Sequence, residues 1–227
     1  MMTHTGTRVA ALFVIADGPY SGLDNVDPWD IDRDARTYRG ILPVVAHPPC
    51  ARWGKYWWGG PSAKVRRKKG DDDGCFASAL ESVQQWGGVL EHPEGSMAWR
   101  AHNIARPPRC GGWVSAGLFC PGWTCHIEQG HYGHPARKGT WLYCVGSSKP
   151  ADLIWGDSIA SEKYRLLAEY DTDADRRRAI KTGACQRLSK RQRKITPDRF
   201  RNLLISIAAT SWTRQPATQA SRITSDT

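Results

Sequence analysis

The sequence predicts an α/β domain built on a compact, Rossmann-like and mainly parallel sheet, with a basic aromatic loop and a C-terminal helical extension. Three observations predict it. Residues 9–16 and 43–46 are continuous apolar runs without alternation, as in strands buried on both faces. Residues 73–86 carry a helical pattern and lie between the second of these runs and a third, at Val89-Leu90. Finally, the second and third runs stop at polar, proline-bearing motifs, His47-Pro48-Pro49-Cys50 and Glu91-His92-Pro93-Glu94. A strand–helix–strand unit with a crossover makes its strands parallel, so both motifs fall at carboxyl ends, where open α/β sheets place their sites.

The elements follow in order. The first strand ends at Asp17-Gly18-Pro19 and is followed by a polar segment with Asp24, Asp27, Asp30, Asp32 and Asp34. Pro48-Pro49 stops the second strand. Residues 52–70 read as a loop, punctuated by Gly59-Gly60-Pro61. Asp73 is the expected N-cap of the helix, Phe76, Leu80, Val83 and Trp86 form its apolar face, and Gly87-Gly88 ends it. Residues 106–122 read as loop, 124–128 and 140–145 as strands, and 161–170 as a helix. Thr196-Pro197 opens a last helix with Phe200, Leu203, Leu204 and Ile207 on one face. Residues 1–150 are expected to form the catalytic unit, 151–212 the basic helical extension and 213–227 a disordered tail.

The chain has 227 residues, 40% of them hydrophobic, and no apolar run long enough to span a bilayer. Its start lacks the features of a signal peptide, which predicts a cytoplasmic protein with no membrane partner. Seven cysteines, an odd number at irregular spacing, read as thiols rather than a disulfide framework. A net charge of +10 favours a polyanionic partner, nucleic acid above all.

Cys50, fixed behind two prolines, is the candidate nucleophile, with Arg52, Lys55 and His47 expected to lower its pKa. Glu91 follows its strand directly and is the candidate acid toward a heterocyclic base; Glu94 is its weaker neighbour. Gln129, Tyr132 and His134 are expected to line a polar pocket beside Cys50. Trp53, Trp57 and Trp58 precede the run Lys64, Arg66, Arg67, Lys68 and Lys69; together these suit phosphate contacts and stacking on an extruded base. Residues 187–194 form a second basic stretch. Cys110, Cys120, Cys125, His126, His131 and His134 are zinc-ligand types, but their spacing matches no zinc knuckle and no metal site is assigned.

A strand ending in Pro-Pro-Cys, a helix, and a strand ending in Glu-His-Pro resemble the central pattern of the DNA methyltransferases that form 5-methylcytosine, in their divergent phage-type branch. Lys138-Gly139-Thr140-Trp141-Leu142 also looks like the Lys-x-Thr-x-Leu strand of those relatives. The resemblance covers roughly residues 8 to 145. It implies that Cys50 adds to the pyrimidine ring and that Glu91 contacts the ring nitrogen and stabilises the adduct. It further implies that His47, Pro49, Arg52, His92, Glu94 and Lys138 surround the substrate, and that S-adenosylmethionine is the donor. Asp17 and either Asp27 or Asp30 stand where that family holds its cofactor. His92 replaces the family's usual Asn, the turn Asp17-Gly18-Pro19-Tyr20-Ser21-Gly22 departs from its Gly-rich turn, and the interval to Cys50 is short. Two alternatives remain open: a non-catalytic DNA-binding relative, and an enzyme acting on free pyrimidine nucleotides.

Overall fold

The computed structural model of the chain describes residues 7–60, 63–158, 172–183 and 188–211. Seven strands form one mixed sheet: β1 (Val9–Leu12), β2 (Val26–Trp29), β3 (Val44–Ala46), β4 (Gly88–Pro93), β5 (Val114–Ser115), β6 (Trp123–Glu128) and β7 (Gly139–Val145). Their spatial order is β2-β1-β3-β4-β7-β6-β5. The first four strands are mutually parallel, as the apolar runs predict for β1, β3 and β4, but β4–β7, β7–β6 and β6–β5 pair antiparallel. The sheet is thus mixed, parallel through its core strands as expected and antiparallel beyond β4.

Alternation along the strands sorts the core into two layers. Ala10, Leu12, Val44, Ala46, Leu90 and Tyr143 face helix α1 (Cys75–Trp86) through Phe76, Ala79, Leu80 and Val83. Val9, Ala11, Val45, Val89, Leu142 and Cys144 face helix α5 (Asp198–Ser211) through Phe200, Leu204, Ile207 and Ala208. Each fully buried Phe or Leu contributes about 2 kcal/mol of transfer free energy. Helix α5 is therefore a layer of the α/β core rather than part of an appended extension.

Local differences have local causes. The helix begins later than the Asp73 cap predicts, because Gly74 occupies the N-cap at φ 76° and offers no side-chain cap. The acid that serves the first turn is Asp72, which accepts from Phe76 N (3.0 Å) and from the Trp53 indole N–H (2.7 Å). That contact draws Trp53 into the core and away from the nucleic-acid role expected of it. At the helix exit, a Cβ on Gly88 (φ +123°) would sit 2.0 Å from Val44 O, so β3 and β4 approach only because this residue is glycine.

Strand β2 lies within the acid-rich segment, where no apolar run announces it. It is an edge strand paired only with β1 and tolerates Pro28 for that reason. Strand β5, two residues long, forms the opposite edge inside the expected 106–122 loop. Short helices α2 (Met97–Ala101), α3 (Asp173–Lys181) and α4 (Lys190–Lys194), with 3-10 turns at Ala35–Thr37 and Gln129–Tyr132, complete the described elements. The expected helix at 161–170 and the tail from 213 lie outside the described residues. Among the described residues no helix is long and apolar enough to cross a membrane.

Candidate active site

Strands β3 and β4 run parallel with Ala46 opposite Leu90, so the next residues, His47 and Glu91, emerge side by side. Glu91 is still within the sheet, opposite Leu142 of β7, which makes it a rigid platform. His47 Nδ1 lies 3.1 Å from Glu91 Oε2, and its other nitrogen, Nε2, lies 2.8 Å from the Tyr20 hydroxyl. The second carboxylate oxygen, Oε1, accepts from Gln129 Nε2 at 3.2 Å, and the same amide nitrogen donates to Thr140 Oγ1 at 3.0 Å. A carboxylate can only accept, so His47 donates from Nδ1 and receives the Tyr20 proton at Nε2.

Burial alone would raise the Glu91 pKa. The His47 hydrogen bond, with the Lys138 charge, outweighs it and holds the carboxyl below its ordinary range. Glu91 is therefore ionised at neutral pH. Tyr20 shifts the other way, upward, through burial and then the Glu91 charge, and so keeps its proton for His47.

Cys50 is exposed at the end of the Pro-Pro turn. Desolvation of its sulfur and then the Glu91 carboxylate push its pKa up, while Lys194 and Lys138 pull it down. This reverses the expected direction and changes the expected cations. Arg52 is spent on the Trp57 carbonyl (3.1 Å), Lys55 lies over the Tyr56 ring, and both His47 nitrogens are engaged. Lys138, in the left-handed region at φ 47°, donates from Nζ to Ile195 O at 3.0 Å. Burial lowers its pKa, and Glu91 and Cys50 oppose that.

Of the expected substrate-facing residues, His47, Gln129 and Lys138 gather around Glu91 and Cys50. The others divide by strand alternation. His92 faces the α1 layer, one residue and one sheet face away from Glu91, and stacks on Trp99 at 6.1 Å. It lies 2.6 Å from the Ser96 hydroxyl, beside the Pro48 and Pro49 carbonyls, and burial lowers its pKa to about 4. Glu94 shares that face and pairs with His126 (3.5 Å) and Arg109 (3.9 Å) rather than with Cys50. Tyr132 takes the Ile154 N–H and packs on Phe200. His134 accepts the Ala136 N–H at Nδ1 (3.1 Å) and donates from Nε2 to the Gln192 carbonyl (3.2 Å). The remaining zinc-type residues are dispersed as well: His131 bonds Gly156 O, and Cys120 and Cys125 are buried in different core layers. Tyr20, Thr140 and Lys194 belong to the site without having been expected there; Lys194 was legible only as one cation in a basic run.

Beside this edge lies the sheet's switch point. The chain leaves β1 for β2 on one side, and leaves β3 for β4 on the other, so a crevice opens between the carboxyl ends of β1 and β3. It holds an open cleft of about 390 Å³, lined by Phe13, Val14, Asp30, Asp34, Arg36 and Pro49 among others. Of the three candidate cofactor acids only Asp30 lines it, at the end of β2, with its Oδ1 fixed by the Asp32 and Arg33 N–H groups. Asp27 is engaged by Trp29 and Arg33, and Asp17 is exposed in the turn after β1. No family model, curated protein or solved structure matches the chain.

Proposed function

We propose that the chain modifies a pyrimidine base of DNA, cytosine foremost, through a transient covalent bond from Cys50. One observation carries this reading: an exposed thiol and an ionised, doubly anchored carboxylate stand at adjacent parallel strand ends, next to a switch-point cleft that Pro49 borders. In this reading the Cys50 sulfur bonds to C6 of the ring, the C5–C6 double bond shifts to C4–C5, and the thiol proton, taken by the Glu91 carboxylate, passes to the ring nitrogen N3. Glu91 accepts the exocyclic amine and faces the ring nitrogen, while His47 and Gln129 keep its oxygens in place. Tyr20 fixes the His47 tautomer on which that anchoring depends.

The cleft residues fit an adenosyl group. Asp30 offers an acceptor for ribose hydroxyls, and Phe13, Val14 and Pro49 offer apolar walls to an adenine ring. Asp30, Asp34 and Asp73 against the single Arg36 favour a ligand bearing positive charge, which suits S-adenosylmethionine. That donor would supply the methyl group; the protein's own part is to present the base and its activated carbon.

A second reading, a DNA-binding protein of this architecture without catalysis, is favoured by the raised Cys50 pKa, which disfavours the thiolate. Intact-mass analysis separates the two after incubation with S-adenosylmethionine and a duplex carrying 5-fluorocytosine, whose fluorine blocks release. A covalent complex that vanishes in Cys50→Ala is the expected result. Duplex binding without any complex would favour the second reading.

A further inference from the structure

We infer that the ligand at this edge is a polynucleotide gripped through its phosphates by two basic arms, the 64–69 loop and helix α4. The inference rests on the reading above and adds to it the segments that hold the substrate's backbone. The first arm leaves the strand-end turn that carries Cys50. Lys64, Arg66, Arg67, Lys68 and Lys69 are all exposed on it. It is tied back to that turn by Arg67 N to Trp58 O (3.2 Å) and Gly70 N to Arg52 O (3.0 Å). The Arg66 guanidinium lies 5.8 Å from the centre of the half-buried Trp58 ring, leaving an aromatic face among the cations.

The second arm comes from the far end of the chain. Helix α4 exposes Arg191, Arg193 and Lys194, and a Ser189–Gln192 capping box closes its start. Two side chains of the β6–β7 connection moor it to the reactive edge: His134 at the Gln192 carbonyl (3.2 Å) and Lys138 at the Ile195 carbonyl (3.0 Å). The mooring sets Lys194 close enough to Cys50 for its charge to be felt there.

The pairing of charges separates these cations from four arginines that brace the fold. Arg33, Arg36, Arg137 and Arg201 each hold a carboxylate and brace a turn or a helix. Among the described residues, no carboxylate forms an ion pair with any of the cations named on the two arms. Cations without an ion-pair partner among the described residues, on two separate segments fixed to one sheet edge, suit a ligand with several spaced phosphates. A free nucleotide needs a single phosphate seat.

The test measures duplex affinity by fluorescence anisotropy between roughly 50 and 200 mM salt, because each phosphate contact adds about 0.9 to the slope of log affinity on log salt. Two variants are compared with the wild type: Arg66→Gln/Arg67→Gln/Lys68→Gln and Arg191→Gln/Arg193→Gln/Lys194→Gln. All six positions are exposed, so melting temperatures should match the wild type. Each variant is expected to lose about 2 to 3 units of slope, and 5-fluoro-2′-deoxycytidine monophosphate should trap no protein. Unchanged slopes in both variants, absence of salt-dependent duplex binding in the wild type, or trapping by the mononucleotide as readily as by duplex would each overturn the inference. Lowered slopes with no adduct on any substrate would uphold it and overturn the catalytic reading alone.

Discussion

Strands β1 to β4 run parallel and deliver His47 and Glu91 as consecutive strand-end residues, whereas β7, β6 and β5 run antiparallel and deliver Gln129, Lys138 and Thr140 through a connection. Because β7 opposes β4 and β6 opposes β7, β6 points the same way as β4. Its end at Glu128, and the start of β7 at Gly139, therefore fall beside Pro93. The parallel half places its reactive groups by local sequence, each directly behind an apolar run. The antiparallel half places its contribution by pairing alone. The site draws Cys50, Glu91 and the anchor His47 from the first, and the anchor Gln129 from the second.

That division can be broken from either side. The largest effect is expected from the parallel half. Glu91→Gln keeps the shape but removes the charge that His47 and Gln129 surround, and should slow adduct formation on the 5-fluorocytosine duplex by about a hundredfold or more. Duplex affinity should stay near that of the wild type, since the phosphate contacts lie elsewhere; a rate unchanged by this substitution would remove Glu91 from the chemistry.

His92, next along the same strand, should act on stability and not on the reaction. Its folded pKa of about 4 lies below the ordinary 6.5, so the unfolded chain takes up the proton first. The stabilisation is complete above pH 6.5 and is lost as pH falls toward 4, by about 3 kcal/mol. Urea midpoints between these pH values should fall steeply in the wild type and more gently in His92→Asn, which has no titrating ring. Glu91 and Glu128 have lowered folded pKa values, so their contributions are present above the ordinary carboxyl range and are lost only at lower pH. A slope equal in both proteins would show that His92 is protonated as easily folded as unfolded.

The smallest effect belongs to the antiparallel half. Gln129→Leu deletes one donor to Glu91 and should slow adduct formation about tenfold, the worth of one hydrogen bond to a charged group. Combined with Glu91→Gln it should add less than tenfold, since its target is then already gone. Full additivity would mean that Gln129 acts on the base rather than on Glu91.

The parallel strands, helix α1 and helix α5 were legible because burial on both faces, or on one helical face, writes itself as runs and three-to-four spacing. Edge strands β2 and β5 were not, because a strand paired on one side and partly solvated carries Asp27, Pro28 or Ser115 without penalty. The adjacency of Glu91 and His92 misled in another way: neighbours in a strand face opposite layers, so only one of them could share a face with His47 and Gln129. The sequence neighbours of Cys50 do not set its electrostatics. Arg52 and Lys55 point to other partners, and the cations that reach the sulfur come from β7's threshold and from α4.

By itself, then, the sequence determined the apolar strands, the two main helices and the two strand ends where Cys50 and Glu91 stand, since these depend on hydrophobic periodicity and on proline within a few residues. The tertiary structure alone decided which side chains complete the site. Tyr20, Thr140 and Lys194 reach it through strand order, antiparallel register and the mooring of a distant helix, and those pairings between remote segments leave no periodic mark in the chain.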